Sequence, residues 1–243
     1  MKFDDVKKLH QKRYREEFGH YLVEGEHLIE ELQKAAETNP ALKASEVFVT
    51  ADREPWQGPL TMRTITASQM AQLSETKTPQ GIVALVPRVP ALAARTGERA
   101  IYLNEVQDPG NLGTILRTLA WFGGFRCLLS PGSVDPYNSK VIRASMGAIF
   151  HVPLEVAVDA AVLQGRYRNV ASLELAGDSI AAEAFRRHDC YVFGNEARGL
   201  SADVLAGLQV TPFTIAGRGG IESLNLAAAV NMCVYELNRE SRS

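Results

Sequence analysis

The stretch NEVQDPGNLGTILRTLAWFG (104–123) decides how the C-terminal half of this 243-residue chain is read. It leaves the β-rich run RAIYL through Asn104-Glu105, turns at Asp108-Pro109-Gly110, and predicts a helix with Asn111 at its N-cap. Leu112, Ile115, Leu116, Leu119 and Phe122 recur at helical spacing and form its expected buried stripe, which Gly123-Gly124 ends. Arg117 stands inside the helix beside that stripe, a cation where packing alone asks for none. It follows Asn111 by six residues, about 600° of rotation and ~9 Å of rise, so the two do not share one helix face.

Around this stretch, strands and helices alternate. RAIYLNEV, FRCLLS, RNVASLEL, DCYVFG and QVTPFTIA read as strands, and helices are expected over about 111–122, 137–147, 157–165, 179–187 and 223–239. Such alternation argues a parallel sheet with helices on both faces, with ligands at the C-terminal strand ends. Two further segments lie at such ends. FGNEARGLS (193–201) follows the strand CYVF, and GRGGIESLNLAAAVNMCVYEL (217–237) follows TPFTIA. In the latter, Ser223 is the expected N-cap and Asn225 falls in the first turn. Neither segment is a Walker A loop or a G-x-G-x-x-G fingerprint, so a phosphate-loop nucleotide enzyme is disfavoured.

The N-terminal part reads as a small α/β domain: helix 3–16, strand 20–24, helix 25–37, strands 45–50 and 61–66, helix 67–74, strand 80–86. PRVPALAARTGE (87–98) lacks an amphipathic period and is the linker candidate. Net charge is −2, with 13 basic and 14 acidic residues in each of 1–98 and 99–243, so overall charge does not announce a nucleic-acid partner. Local charge does offer one: Lys8, Lys12 and Arg15 at i, i+4, i+7 would line one helix stripe. No apolar run is long enough for a membrane span and no signal-peptide pattern opens the chain, which predicts a cytoplasmic protein. Cys127, Cys190 and Cys233 are odd in number and far apart, without metal-ligand spacing; buried reduced thiols are expected, and no metal.

Taken together, the three C-terminal segments resemble the signature motifs of the SpoU (TrmH-like) RNA 2′-O-ribose methyltransferases of the SPOUT superfamily. The resemblance is close over about 100–240. Residues 1–98 more loosely resemble the substrate-binding domain, related to the ribosomal L30e fold, that many members carry. It implies an α/β protein with an L30e-like RNA-binding domain (1–90), a linker (91–98), and a SPOUT methyltransferase domain (99–243) with a parallel sheet and a deep trefoil knot. S-adenosyl-L-methionine is the implied cofactor, RNA the substrate and a homodimer the assembly. Ribosomal RNA is favoured and transfer RNA is the rival. The resemblance assigns Asn111, Arg117, Glu196, Ser223 and Asn225 to the catalytic site. Gly194, Ile215 and Leu224 are assigned to the cofactor site, and the same context raises Lys8, Lys12 and Arg15 to RNA contacts. A catalytically silent RNA-binding protein of this fold would be expected to lack Arg117, Glu196 or Asn225, and this chain has all three. No histidine lies inside the motifs to act as base, and arginine stays protonated in proteins. Arg117 is therefore read as an anchor for RNA phosphate and for the developing oxyanion, with Glu196, Ser223 and Asn225 orienting it and the ribose.

Overall fold

Residues 1–51, 58–76, 78–201, 204–205 and 207–239 are described by a computed structural model. The chain runs α1 (Phe3–Val6), α2 (Lys12–Phe18), β1 (His20–Glu24), α3 (Glu26–Thr38), β2 (Glu46–Thr50), β3 (Thr61–Ile65), α4 (Ala67–Leu73) and β4 (Ile82–Pro87). It continues with β5 (Arg99–Leu103), α5 (Pro109–Phe122), β6 (Phe125–Leu129), α6 (Ser139–Ser145), β7 (Leu154–Glu155) and α7 (Leu163–Arg166). Then follow β8 (Val170–Ser179), β9 (Cys190–Phe193), β10 (Val210–Thr214) and α8 (Leu226–Asn238). By their contacts these elements form two units, Met1–Pro90 with Asp135–His151, and Ala91–Val134 with Val152–Ser243.

In the first unit the sheet order is β1-β4-β2-β3, with β2 and β3 parallel and the other pairs antiparallel. Phe48, Ile65, Met70, Leu73, Val83 and Leu85 form a core against Val6 and Leu9. The expected first helix is not continuous. Gln11, extended at φ −98° and ψ 134°, separates the 3₁₀ turn Lys7–His10 from α2, so Lys8, Lys12 and Arg15 do not line one helix stripe. Lys8 pairs with Asp5 at 2.9 Å and Lys12 approaches Glu16 at 3.8 Å; both lysines are exposed.

Arg15 turns inward. It is 6% exposed, donates to the carbonyls of Leu9 and His10 at 2.7 and 2.8 Å, and grips the Asp135 carboxylate through Nε and Nη2 at 2.9 and 2.6 Å. A guanidinium with these partners braces the fold around it. Removing one member of a buried pair strands the other, a change that typically costs about 3–5 kcal/mol. Arg15→Ala should therefore lower unfolding stability by that order in denaturant titration. A loss under about 1 kcal/mol would reduce the pair to the worth of a surface contact.

The second unit carries a six-stranded sheet, order β10-β8-β9-β5-β6-β7, in which every strand pair is parallel. All residues of β6 and β9 are buried, as strands covered on both faces require. Two of the expected helices shrink. The region 157–165 holds a 3₁₀ turn, Ala160–Val162, and the single-turn α7. The region 179–187 holds only the 3₁₀ turn Glu183–Arg187, because β8 runs on to Ser179 beside β10 and Ile180 still donates to the Thr214 carbonyl at 3.1 Å. Tertiary pairing there overrides the helical preference of an alanine-rich segment. The stretch expected to be a linker is tied to this unit: buried Arg126 donates to the Leu92 carbonyl at 2.6 Å and to Glu98 at 3.1 Å. All three cysteines are buried and free, and burial pushes each thiol up to about 12.

Candidate active site

The loops at the C-terminal ends of β5 and β9 and the segment entering α8 hold the three sequence motifs. Helix α5 starts one turn earlier than the sequence suggested. Asp108 is its N-cap, accepting the Asn111 amide at 2.7 Å, and Pro109 fills the first helical position, where its missing N–H costs nothing. Asn111 thus sits in the first turn with its side chain free for other work. Helix α8 starts later than expected. Asn225 is its cap, accepting from Ala228 N–H at 3.2 Å, while Ser223 lies in the irregular segment before it.

With the two helices capped in this way, three side chains are joined. The Glu196 carboxylate accepts the backbone N–H of Gln107 at 3.1 Å, that of Asp108 at 3.2 Å, and the side-chain amide of Asn111 at 3.2 Å. Asn111 Oδ1 in turn accepts Asn225 Nδ2 at 2.9 Å. One residue from each motif is thereby placed in a single hydrogen-bonded line. Because Asn111 donates at one end and accepts at the other, its amide orientation is fixed by its partners.

The loop carrying Glu196 is closed on itself. Asn195 and Gly199 exchange backbone hydrogen bonds at 3.0 and 2.9 Å, and Asn195 Oδ1 accepts the amides of Ala197 and Arg198. Gly194 faces this closure so tightly that a Cβ would stand 2.2 Å from the Gly199 carbonyl carbon and 2.4 Å from the Leu200 nitrogen. Only glycine fits there.

Ile215 follows β10 half-buried, and Leu224 is exposed, as is Ile221. Gly194, Ile215 and Leu224 thus all lie in loops beyond strand ends. Arg117 is exposed on α5, and its side chain makes no ion pair or hydrogen bond with another described residue. Among the described residues, no hydrogen bond joins the side chain of Ser223 or Arg117 to the Glu196–Asn111–Asn225 line. Sequence reasoning missed Gln107, Asp108 and Asn195. The D-P dipeptide, favouring a cap followed by proline at the first helical position, was the available signal for Asp108.

Among the described residues no group of three or more His, Cys, Asp or Glu could hold a metal ion, and no helix is long and apolar enough to cross a membrane. The SpoU rRNA Methylase family matches residues 98–235, and an MRM3-like substrate binding domain matches residues 2–84. The chain is 30% identical over 248 residues to the 23S rRNA (guanosine(2553)-2′-O)-methyltransferase RlmP of Bacillus subtilis, covering 97% of this chain and 95% of that protein. A solved TrmH-family structure from Porphyromonas gingivalis superimposes with a TM-score of 0.79 at 29% identity, over 98% of this chain and 96% of that one. The SpoU methyltransferase AviRb from Streptomyces viridochromogenes, solved in complex with AdoMet, shares the fold at a TM-score of 0.83 and 20% identity, over 99% and 98% of the two chains.

Proposed function

We propose, for a chain that belongs to the SpoU rRNA methylase family, that it methylates the 2′-hydroxyl of a ribose in ribosomal RNA using S-adenosylmethionine. The observation that carries this reading is the line Glu196–Asn111–Asn225, which draws all three motifs to one place. The protein is an RNA 2′-O-methyltransferase. The preference for ribosomal over transfer RNA rests on the MRM3-like domain at residues 2–84 and on the relation to an enzyme of 23S rRNA.

The residues beyond the strand ends suit the cofactor. Gly194 keeps the second-motif backbone close, and Ile215, Ile221 and Leu224 give apolar surface for a flat heterocycle beside irregular backbone whose amides can serve its polar edges. S-adenosylmethionine supplies the methyl group on a sulfonium. The chain's own work is to bring the ribose 2′-oxygen in line with that methyl, within about 3–3.5 Å, and to exclude water. Asn111 and Asn225, held by Glu196, orient the ribose. Arg117, exposed and unengaged by described residues, binds an RNA phosphate and stabilises charge developing on the 2′-oxygen. Ser223, in the irregular segment before α8, helps to orient the ribose and Arg117. Lys8 and Lys12 stay exposed for RNA, whereas Arg15 is withdrawn from that role. The same proposal includes action in the cytoplasm and the trefoil knot implied by the family motifs.

The protein works as a homodimer. Support comes from the paired helices α5 and α8, joined by the Thr118–Asn231 hydrogen bond at 2.7 Å and the Phe122–Tyr235 ring contact at 6.5 Å. They leave Trp121 80% exposed and Tyr235 59% exposed, apolar surface of the sort a second copy covers. Sedimentation at micromolar concentration should show a dimer; a stable active monomer would refute this assembly.

Comparing 2′-O-methylation across total RNA from cells with and without the protein tests the substrate. One ribosomal position should lose its methyl group. Loss at a transfer RNA position would move the assignment to that class, and no loss anywhere would remove RNA ribose as the substrate.

A further inference from the structure

Glu105 is not a glycine, yet its φ is +52°, in the left-handed region where the Cβ of an L residue crowds the following carbonyl oxygen. Such a conformation persists only when neighbours over-determine it, and these clusters of constraint gather at working sites. Here the neighbours are explicit. The Glu105 N–H donates to Ser130 Oγ at 2.7 Å. Its carbonyl accepts Gln107 Nε2 at 2.9 Å and Asn195 Nδ2 at 2.8 Å. Its carboxylate accepts Arg198 Nη2 at 2.6 Å. Ser130 follows β6, Asn195 and Arg198 belong to the loop after β9, and Gln107 belongs to the loop of Glu105 itself. Three loops therefore fix one residue.

Two and three residues further on, the amides of Gln107 and Asp108 point at the Glu196 carboxylate. The direction of those amides follows from the turn that Glu105 begins. The Arg198 contact is exposed on both sides, and pairs of that kind stabilise little. The backbone clamps from Ser130, Gln107 and Asn195 carry the constraint.

We infer that Glu105 is a positioning residue for methyl transfer: its clamped left-handed backbone aims the Gln107 and Asp108 amides that hold Glu196, and so Asn111 and Asn225. The inference rests on the proposed methyl transfer to RNA. It makes the conformation of residue 105, and not its carboxylate, the working property. Glycine adopts this φ without help, so it should substitute for the clamps.

The test uses the full chain, S-adenosylmethionine and in vitro transcribed ribosomal RNA. Ser130→Ala removes the acceptor of the Glu105 N–H; it should lower kcat about tenfold, leave the KM for RNA within twofold, and speed hydrogen exchange at residues 105–111. Glu105→Gly alone should keep kcat within about threefold of wild type. The double variant Ser130→Ala with Glu105→Gly should recover most of the lost turnover and exchange protection, at a melting midpoint no higher than that of Ser130→Ala. Absence of recovery, or a Glu105→Gly variant as impaired as Ser130→Ala, overturns the inference. So does a recovery that merely follows the melting midpoint. Wild-type protein that transfers no methyl to any RNA sinks the functional reading instead, and the exchange measurement still judges the positioning role.

Discussion

Arg117→Ala should cut single-turnover methyl transfer about 10²–10³-fold, the usual loss when one preorganised oxyanion donor is removed, while the melting midpoint stays near that of wild type. The two halves of this expectation have separate causes. Arg117 is exposed and engages no other described residue, so its loss leaves no orphaned partner, and surface changes of this kind usually fall within about 0.5 kcal/mol. Its value is realised only when RNA phosphate and the reacting oxygen arrive. Affinity for S-adenosylmethionine should therefore change little. Arg117→Lys should restore part of the rate, since an ammonium keeps the charge but not the planar fork. A folded Arg117→Ala protein with near-wild-type transfer would remove the residue from the active site.

Glu196→Ala should be comparably damaging to turnover and should also cost stability. The carboxylate accepts the Gln107 and Asp108 amides and the Asn111 side chain, and hydrogen bonds to a charged acceptor contribute about 1.5–3 kcal/mol. With it gone, Asn111 loses the partner that fixes its orientation, and Asn225, which donates to Asn111, loses a settled acceptor. Glu196→Gln should be intermediate: one oxygen still accepts, but the new NH₂ faces donors. Parallel measurement of single-turnover rate and melting midpoint checks this. A Glu196→Ala protein that melts lower yet transfers methyl at the wild-type rate would make Glu196 a brace for the loop with no part in catalysis.

Much of the second unit was legible because its signals are local. Continuous apolar runs gave β5, β6 and β9, and the stripe of Leu112, Ile115, Leu116 and Leu119 gave the buried face of α5. The caps were harder. Asp108 and Asn111 are both good cap residues three positions apart, as Ser223 and Asn225 are at two, and only the position of Pro109 favoured Asp108. The basic stripe is broken at extended Gln11, and the burial of Arg15 has a cause that no pattern in residues 2–15 reveals. Arg15 finds its carboxylate 120 residues away, at Asp135, in a segment that packs with the first unit. Long-range pairing of this kind has no period to read. The same holds for Glu105, whose positive φ is imposed by Ser130 and Asn195 and not by its own identity. The line from Glu196 through Asn111 to Asn225 was implied residue by residue, but its hydrogen bonds required the fold.

This protein moves a methyl group to a ribose 2′-oxygen of RNA. The most direct measurement incubates the purified full chain with isotopically labelled S-adenosylmethionine and unmodified ribosomal RNA, digests the RNA to nucleosides, and locates the label by mass spectrometry. The label should appear in a single 2′-O-methylated nucleoside, on the sugar fragment, and should vanish with Arg117→Ala. Label on a base fragment, or none with folded protein that binds the cofactor, would contradict it.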